Sequence, residues 1–180
     1  MQMNNSAAQF ELVEANLENL RARVPDLPAS GILLCRLLMH IGREMAAMFE
    51  QQIRPFGLAE AEFRVLTTLF SQPDGAAHPS DLCVRTSQSP ANMSRSSDAL
   101  VNRGLITRVS SVHDRRRLIL RITEEGELFV RQLLPKMFVP LRALMKGFPE
   151  AEQHHMTAQL KRLGVELDQV SGAGVAEPAL

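Results

Sequence analysis

The sequence contains no tryptophan and no tyrosine, and its aromatic side chains other than histidine are eight phenylalanines. Because 45% of the residues are hydrophobic and nine are methionine, the chain can bury a sizeable core, but that core must be aliphatic and methionine-rich. Only two cysteines are present, Cys35 and Cys83, both in apolar or helical settings. They predict reduced thiols in a cytoplasmic protein rather than a disulfide framework.

Segments that would direct the chain to a membrane are also missing. No apolar run reaches the roughly 18 residues that a membrane span needs. Residues 1–14 have neither the basic nor the apolar region of a secretion signal. We therefore expect a cytoplasmic protein without a membrane partner. A length of 180 residues fits one domain, or a small module with an accessory one.

No arrangement typical of catalysis is visible. The sequence shows neither a nucleophile–base pair nor a phosphate-binding loop, so an enzyme is the least expected class. His154 and His155 are adjacent, which on a helix places them about 100° apart, a poor geometry for one metal ion. We expect neither a metal nor another cofactor.

The net charge is zero, but the charges are unevenly distributed. Residues 79–121 hold eight arginines, no lysine and three aspartates, a local net charge of +5. A concentrated arginine zone can bind a polyanion even in a neutral protein. Arginine also makes forked contacts to phosphates and base edges that lysine cannot make.

Apolar residues recur at helical spacing along most of the chain. They predict helices over 10–23, 30–54, 59–71, 123–146 and 150–170, with residues 72–78 as a loop. The helix 30–54 is apolar over most of its first half and therefore needs burial on more than one side, which favours a partner subunit. Two shorter helices are expected to begin at Pro79 and Pro90, and Ser89 and Gly104 are expected to cap the second of them.

Two strands, 105–110 and 118–122, are predicted to flank a basic turn, and Thr123 is expected to cap the helix that follows. Helix, helix, strand, basic turn and strand is the order of a winged helix-turn-helix. The second short helix would be the recognition helix. Its short polar side chains let the backbone approach the major groove, and its longer donors reach bases or phosphates. The residues expected at the DNA are Ser89, Ala91, Asn92, Ser94 and Arg95, with Ser97 also presented. Alternatively, these serines are caps and solvated surface.

The turn carries His113, Asp114 and three consecutive arginines, Arg115, Arg116 and Arg117. A guanidinium on such a turn can enter a narrow minor groove, where the negative potential is enhanced. Asp114 can hold one arginine in a fixed orientation. The alternative is a solvated charge run, but the strand–turn–strand setting favours DNA contact.

At this turn and just after it, Asp114, Arg116, Ile122-Thr123 and Gly126 follow the spacing Asp-x-Arg-x5-Ile-Thr-x-x-Gly. This resembles the wing signature Asp-x-Arg-x5-Leu-Thr-x-x-Gly of the MarR family of bacterial transcription regulators. Further matches occur upstream, in order, at Gly57-Leu58 with Phe63 and Leu66, at Pro79-Ser80-Asp81-Leu82 and at Arg103-Gly104-Leu105-Ile106. Ala59 and His78 depart from the family, which often has threonine there, and each replaces an expected helix cap at a cost of about 1 kcal/mol.

The resemblance is greatest to the EmrR (MprA) branch, whose members repress multidrug efflux pumps. It rests on residues 32–37 (ILLCRL), Met39-His40, Asp114-Arg115-Arg116 and Arg131 with Leu134-Pro135. It implies a mainly α fold with a small β-wing and a homodimer on a pseudo-palindromic DNA site, with Arg116 inserted and Asp114 orienting it. The implied organisation is an N-terminal extension 1–29, a helical dimerisation region 30–56 and 123–170, a winged helix-turn-helix 57–122 and a flexible tail 171–180.

The resemblance also implies a ligand-responsive repressor that small aromatic or lipophilic compounds release from its operator. The pocket is expected where the helices 30–54 and 59–71 meet the winged lobe. Its expected lining is Met39, His40, Arg43, Phe63, Leu66 and Phe70, although methionine and phenylalanine at this spacing are typical of a core. Two other hypotheses stay open: a winged-helix protein-interaction module, and redox sensing by Cys35, for which an inert buried thiol is the alternative.

Overall fold

The computed structural model describes residues 6–110 and 118–172. Within these ranges the chain is mostly helical with a small antiparallel sheet, which confirms the predicted fold class. The helices are α1 (Ser6–Arg21), α2 (Ala29–Ile53), α3 (Glu60–Phe70), α4 (Pro79–Thr86), α5 (Pro90–Asn102), α6 (Glu124–Met145) and α7 (Glu150–Gly172). The strands are β1 (Ala76–Ala77), β2 (Ile106–Ser110) and β3 (Leu118–Ile122), and a 3₁₀ turn, Arg54–Phe56, follows α2.

The sheet has the order β1-β3-β2, with both pairs antiparallel. Strands β2 and β3 confirm the two predicted strands, but the prediction of a loop over 72–78 was wrong at β1. Ala76 lies opposite Arg121 and Ala77 opposite Leu120. A strand of two residues has no alternation to detect, so its pairing with β3 could not be predicted from its own sequence.

Helix α3 packs against both α4 and α5 and supplies the centre of the core. Its side chains Val65, Leu66 and Leu69 are fully buried. The other large side chains with almost no exposure come from elements on both sides of α3, and include Ile53, Leu82, Met93, Leu100, Ile106 and Leu120. This core is aliphatic, as predicted, but the expectation that it is methionine-rich was wrong, because Met93 and Met137 are the only buried methionines among the described residues.

The ends of these helices follow mainly from local side-chain chemistry. Ser89 Oγ accepts a hydrogen bond from Asn92 N at 3.3 Å, and Pro90 occupies the first turn of α5, as predicted. Thr123 Oγ1 accepts from Gly126 N at 2.9 Å, which confirms the predicted start of α6. Ala59 has no capping group, but Glu62 Oε2 accepts from Ala59 N at 3.1 Å, so half of a capping box remains.

The chain divides into two compact units, Met1–Val130 and Arg131–Leu180. Helix α6 begins in the first unit and continues into the second. In the second unit, α7 exposes a stripe of Met156, Leu160, Leu163 and Leu167. No described helix combines the length and apolarity that crossing a membrane would require.

Candidate nucleic-acid interface

Helices α4 and α5 are joined by a tight turn that sets the direction in which α5 leaves. Ser87 adopts a left-handed conformation with φ 53° and ψ 42°, and Ser89 then caps α5. Among the described residues, Ser87 alone has a positive φ without being glycine. A short polar side chain tolerates this conformation better than a branched one. The turn and the cap together make α4 and α5 a helix-turn-helix pair.

The first turns of α5 present the residues that the sequence predicted at the DNA. Ser89, Ala91, Ser94 and Arg95 are exposed, and Asn92 is half-buried. Among the described residues, Arg95 has neither a hydrogen-bond nor an ion-pair partner. The exposed first turns of α5 therefore present one positively charged side chain, that of Arg95, surrounded by small side chains.

The prediction that Ser97 is presented with them was wrong. Its side chain is only 2% exposed, and its Oγ donates to Met93 O at 2.7 Å. Met93, Ser97 and Leu100 recur at helical spacing and face the core together. A hydroxyl can occupy such a face because the preceding turn of its own helix accepts its hydrogen bond.

Gln88, which the sequence did not single out, ties α5 to α3. Its Nε2 donates to Ala61 O at 2.9 Å, while its Oε1 accepts from Asn92 Nδ2 at 3.1 Å and from Ser96 Oγ at 3.3 Å. In the sequence, polar residues recur every four positions at 88, 92 and 96, and this spacing was the pattern that could have indicated the Gln88 contacts. One amide hydrogen of Asn92 is thus used to position α5.

The base of the wing is fixed to the helices by side chains from several elements. Arg108 on β2 forms an ion pair with Asp98 on α5, and His78 Nδ1 lies 3.1 Å from Leu118 O at the start of β3. The His78 ring therefore contacts the wing instead of capping α4. The predicted wing residues Asp114, Arg115, Arg116 and Arg117 lie outside the described residues.

Arg103, at the end of α5, joins that helix to the turn after α2. Its Nη1 donates to Gly57 O at 2.7 Å and its Nη2 to Phe56 O at 3.0 Å. The guanidinium also lies over the ring of Phe129, 5.3 Å from its centroid. These contacts connect the chain following α2 directly to the end of α5.

The residues predicted for the ligand pocket fall in two places. Met39, His40 and Arg43 line a cavity of about 440 Å³, whose other wall is α1 rather than α3. Phe63, Leu66 and Phe70 do not line it. Leu66 is fully buried in the core, and the Phe63 ring packs edge-on against Phe49, with centroids 4.9 Å apart.

Cys35 is exposed in the described chain, so the expectation of a buried thiol was wrong. On helix α2, Leu37 and His40 line the cavity that α1 closes on its other side. At about 100° per residue, Cys35 lies well away from both around the helix, and it does not line the cavity, although Met39 on its own face does.

A helix-turn-helix whose second helix is followed by an antiparallel hairpin defines the winged helix-turn-helix class. A solved structure of a MarR mutant from Escherichia coli, complexed with operator DNA, has the same fold, with a TM-score of 0.66 and 22% identity over 77% of this chain and 98% of that one. A second solved structure with this fold is that of Bordetella bronchiseptica BpsR, whose DNA binding is regulated by 6-hydroxynicotinic acid. Its TM-score is 0.64, with 24% identity over 72% of this chain and 91% of that one.

Sequence comparison identifies the family within that class. A sequence profile described as MarR family matches residues 56–117. The transcriptional repressor MprA of Escherichia coli is 32% identical over 173 residues, covering 96% of this chain and 98% of that protein. The chain belongs to the MarR family of transcriptional regulators, which confirms the predicted resemblance. This family consists of regulators, not enzymes, as the sequence predicted.

Proposed function

We propose that the protein is a ligand-responsive homodimeric repressor of a multidrug-efflux or stress-resistance operon, released from its operator by small aromatic or lipophilic compounds. The observation that carries the DNA-binding part is the exposed end of α5, where Arg95 has no partner among the described residues. The efflux assignment is supported by the similarity to MprA along nearly the whole chain. A cytoplasmic location accords with this role.

DNA reading is assigned to α5 and the wing. Arg95 and Asn92 would read base edges, Ser89 and Ser94 would contact phosphates, and Ala91 would allow close approach. In the wing, Arg116 would enter the minor groove with Asp114 as its orienting partner, while Arg115 and Arg117 would contact phosphates.

Dimerisation is assigned to residues 30–56 and 123–170, with residues 57–122 as the DNA-binding domain. The exposed apolar stripe of α7 supports this assignment, since monomeric proteins rarely leave such a patch in water. On α2, Leu34, Ile41 and Met45 are similarly exposed.

The proposal is tested by duplex binding over a salt series, with an operator first selected from random sequence. We expect the affinity to fall steeply as salt rises, because phosphate contacts release counterions. Salicylate-like acids or lipophilic uncouplers should lower the affinity at constant salt. Absence of any duplex binding at low salt would favour the protein-interaction module instead.

Gln88→Ala should weaken binding to the selected operator by about tenfold, with a smaller effect on random duplex. The substitution removes the side-chain bridge that orients α5 and Asn92, and it costs the fold about 1 kcal/mol. The ratio of operator to random-duplex affinity, measured by fluorescence anisotropy, checks this. Gln72→Ala is the matched control, because the Gln72 side chain bonds only to Thr68 and Ser71 at the end of its own helix. An unchanged ratio in Gln88→Ala would show that the bridge does not orient α5.

A further inference from the structure

One side chain, that of Arg103 at the end of α5, contacts both the chain after α2 and the start of α6. Its Nη1 and Nη2 donate to Gly57 O and Phe56 O, at 2.7 and 3.0 Å. The guanidinium lies over the Phe129 ring of α6, and the Phe56 and Phe129 rings meet edge-on, with centroids 6.4 Å apart. Together, these interactions are the Arg103 contacts.

The Arg103 backbone belongs to α5, so a displacement of the guanidinium acts on that helix. Arg103 N donates to Ala99 O at 3.2 Å, which continues the hydrogen bonding of α5. The chain turns only at the next residue, Gly104, whose φ is 70°. A positive charge at the carboxyl end of a helix is also favoured by the helix dipole. The Arg103 contacts therefore hold the helix itself and not the segment that leads to β2.

The carbonyls that accept these bonds are held to the end of α2. Arg54 N donates to Glu50 O, and Gly57 N donates to Arg54 O at 3.0 Å, so the turn continues directly from the helix. Ile53, the last residue of α2, is completely buried. Gly57 has a φ of 66°, a conformation that glycine adopts without strain. A rotation or shift of α2 would therefore carry the two carbonyls with it.

The other side-chain contacts of α5 described above lead to different elements. Gln88 bonds to Ala61 of α3, and Asp98 pairs with Arg108 of β2. They fix α5 within the winged helix-turn-helix, whereas the Arg103 contacts relate it to α2 and α6, which the proposed function assigns to dimerisation. Because Arg103 is exposed, its contacts can open without exposing the buried core.

We propose that Arg103 is a positioning residue that transmits movement of α2, and of the start of α6, to the proposed DNA-reading helix. While its contacts are closed, α5 keeps the orientation that binds the operator. When α2 moves, the guanidinium no longer reaches both carbonyls, and operator affinity falls. The planar guanidinium suits this role because it presents several donors in a fixed fork, which lysine does not. That a small molecule causes the movement rests on the proposed function.

The first test compares operator affinity with and without saturating salicylate, by fluorescence anisotropy on the full-length protein. The ratio of the two dissociation constants measures the coupling, which we expect to be about fivefold or more in the wild type. In Arg103→Gln the ratio should fall below about twofold. Salicylate binding to the free variant, measured by calorimetry, should stay within about twofold of the wild type. Arg103→Lys, which keeps the charge but not the fork, should give an intermediate ratio.

Arg64→Gln is the matched control, because Arg64 pairs with Glu60 within α3 and its loss removes the same charge. It should leave both the operator affinity and the ratio unchanged. A merely structural role of Arg103 would lower operator affinity by the same factor with and without salicylate. An unchanged ratio in Arg103→Gln would therefore overturn the inference. Circular dichroism checks that each variant folds.

A second test needs no ligand. Phe129→Leu removes the ring beneath the guanidinium and should weaken operator binding by about fivefold on its own. The double variant with Arg103→Gln should bind within about twofold of Arg103→Gln alone, because both substitutions open the same contacts. No loss in Phe129→Leu, or losses that multiply, would contradict the role of Arg103. A wild type that salicylate does not release would instead contradict the effector part of the proposed function, and this cycle would then decide the inference.

Discussion

Gly126→Ala is expected to destabilise the protein by about 3 kcal/mol or more, since overpacking against atoms that cannot move is among the costliest substitutions. Gly126 lies in the first turn of α6. A Cβ there would come within 2.1 Å of Leu105 O and 3.0 Å of Leu105 C, and within 2.8 Å of Ile122 Cγ1. Two of these three atoms are backbone, so a change of rotamer cannot relieve the contact.

The Leu105 backbone is also held in place by its own hydrogen bonds. Its carbonyl accepts from Thr123 N at 3.1 Å, and its N–H donates to Leu100 O at 3.0 Å. The clash must therefore separate the start of α6 from the start of β2, and the wing should be displaced with it.

Urea denaturation followed by circular dichroism measures the effect of Gly126→Ala. The control is Gly31→Ala, because Gly31 also lies in the first turn of a helix but a methyl group added there would meet no atom within 4 Å. That control should be neutral or stabilise the fold by up to about 1 kcal/mol. Equal midpoints for Gly126→Ala and the wild type would show that the junction is looser than the structure indicates.

Arg116→Ala is expected to abolish the operator shift in a mobility-shift assay while leaving the proposed dimer intact. An arginine that reads a groove contributes roughly 1–3 kcal/mol of binding free energy. Since a homodimer would present two wings, the loss of binding free energy doubles to at least about 2 kcal/mol, which corresponds to a drop in affinity of at least about 30-fold. Sedimentation of the free variant checks the dimer.

Arg23→Ala serves as the control for charge alone, since it removes one positive charge per chain far along the sequence from the wing. It should leave operator affinity within about twofold. Unchanged affinity in Arg116→Ala would remove the minor-groove role assigned to this side chain and leave DNA binding to α5.

Sequence alone predicted the parts of the fold that local chemistry determines. Ser89, Gly104 and Thr123 end or begin helices because a hydroxyl or a left-handed glycine satisfies the backbone there, and such signals are readable at one position. The alternation of β2 and β3 was also readable, because it is a local pattern within a few consecutive residues. The arginine-rich turn between them identified the class and, through its spacing, the family.

Interactions between distant segments were not predictable. Gln88 reaches the carbonyl of Ala61, and His78 lies against Leu118, but neither pairing has a sequence pattern that specifies its partner. The resemblance implied a pocket where the helices 30–54 and 59–71 meet the winged lobe. Met39, His40 and Arg43 instead line a cavity against α1, and of these three only Arg43 also lines a second cavity, between α2 and the start of α3.

The strand order β1-β3-β2 has a consequence for the path by which the chain folds. Strands β2 and β3 are neighbours in sequence, so their hairpin can form from local contacts. Strand β1 precedes α4 and α5, and its pairing with β3 closes a loop that contains both helices. Closing a long loop carries an entropic cost that a hairpin avoids. We therefore expect β1 to pair with β3 after the β2–β3 hairpin has formed, so that α4 and α5 lie within the loop that this pairing closes.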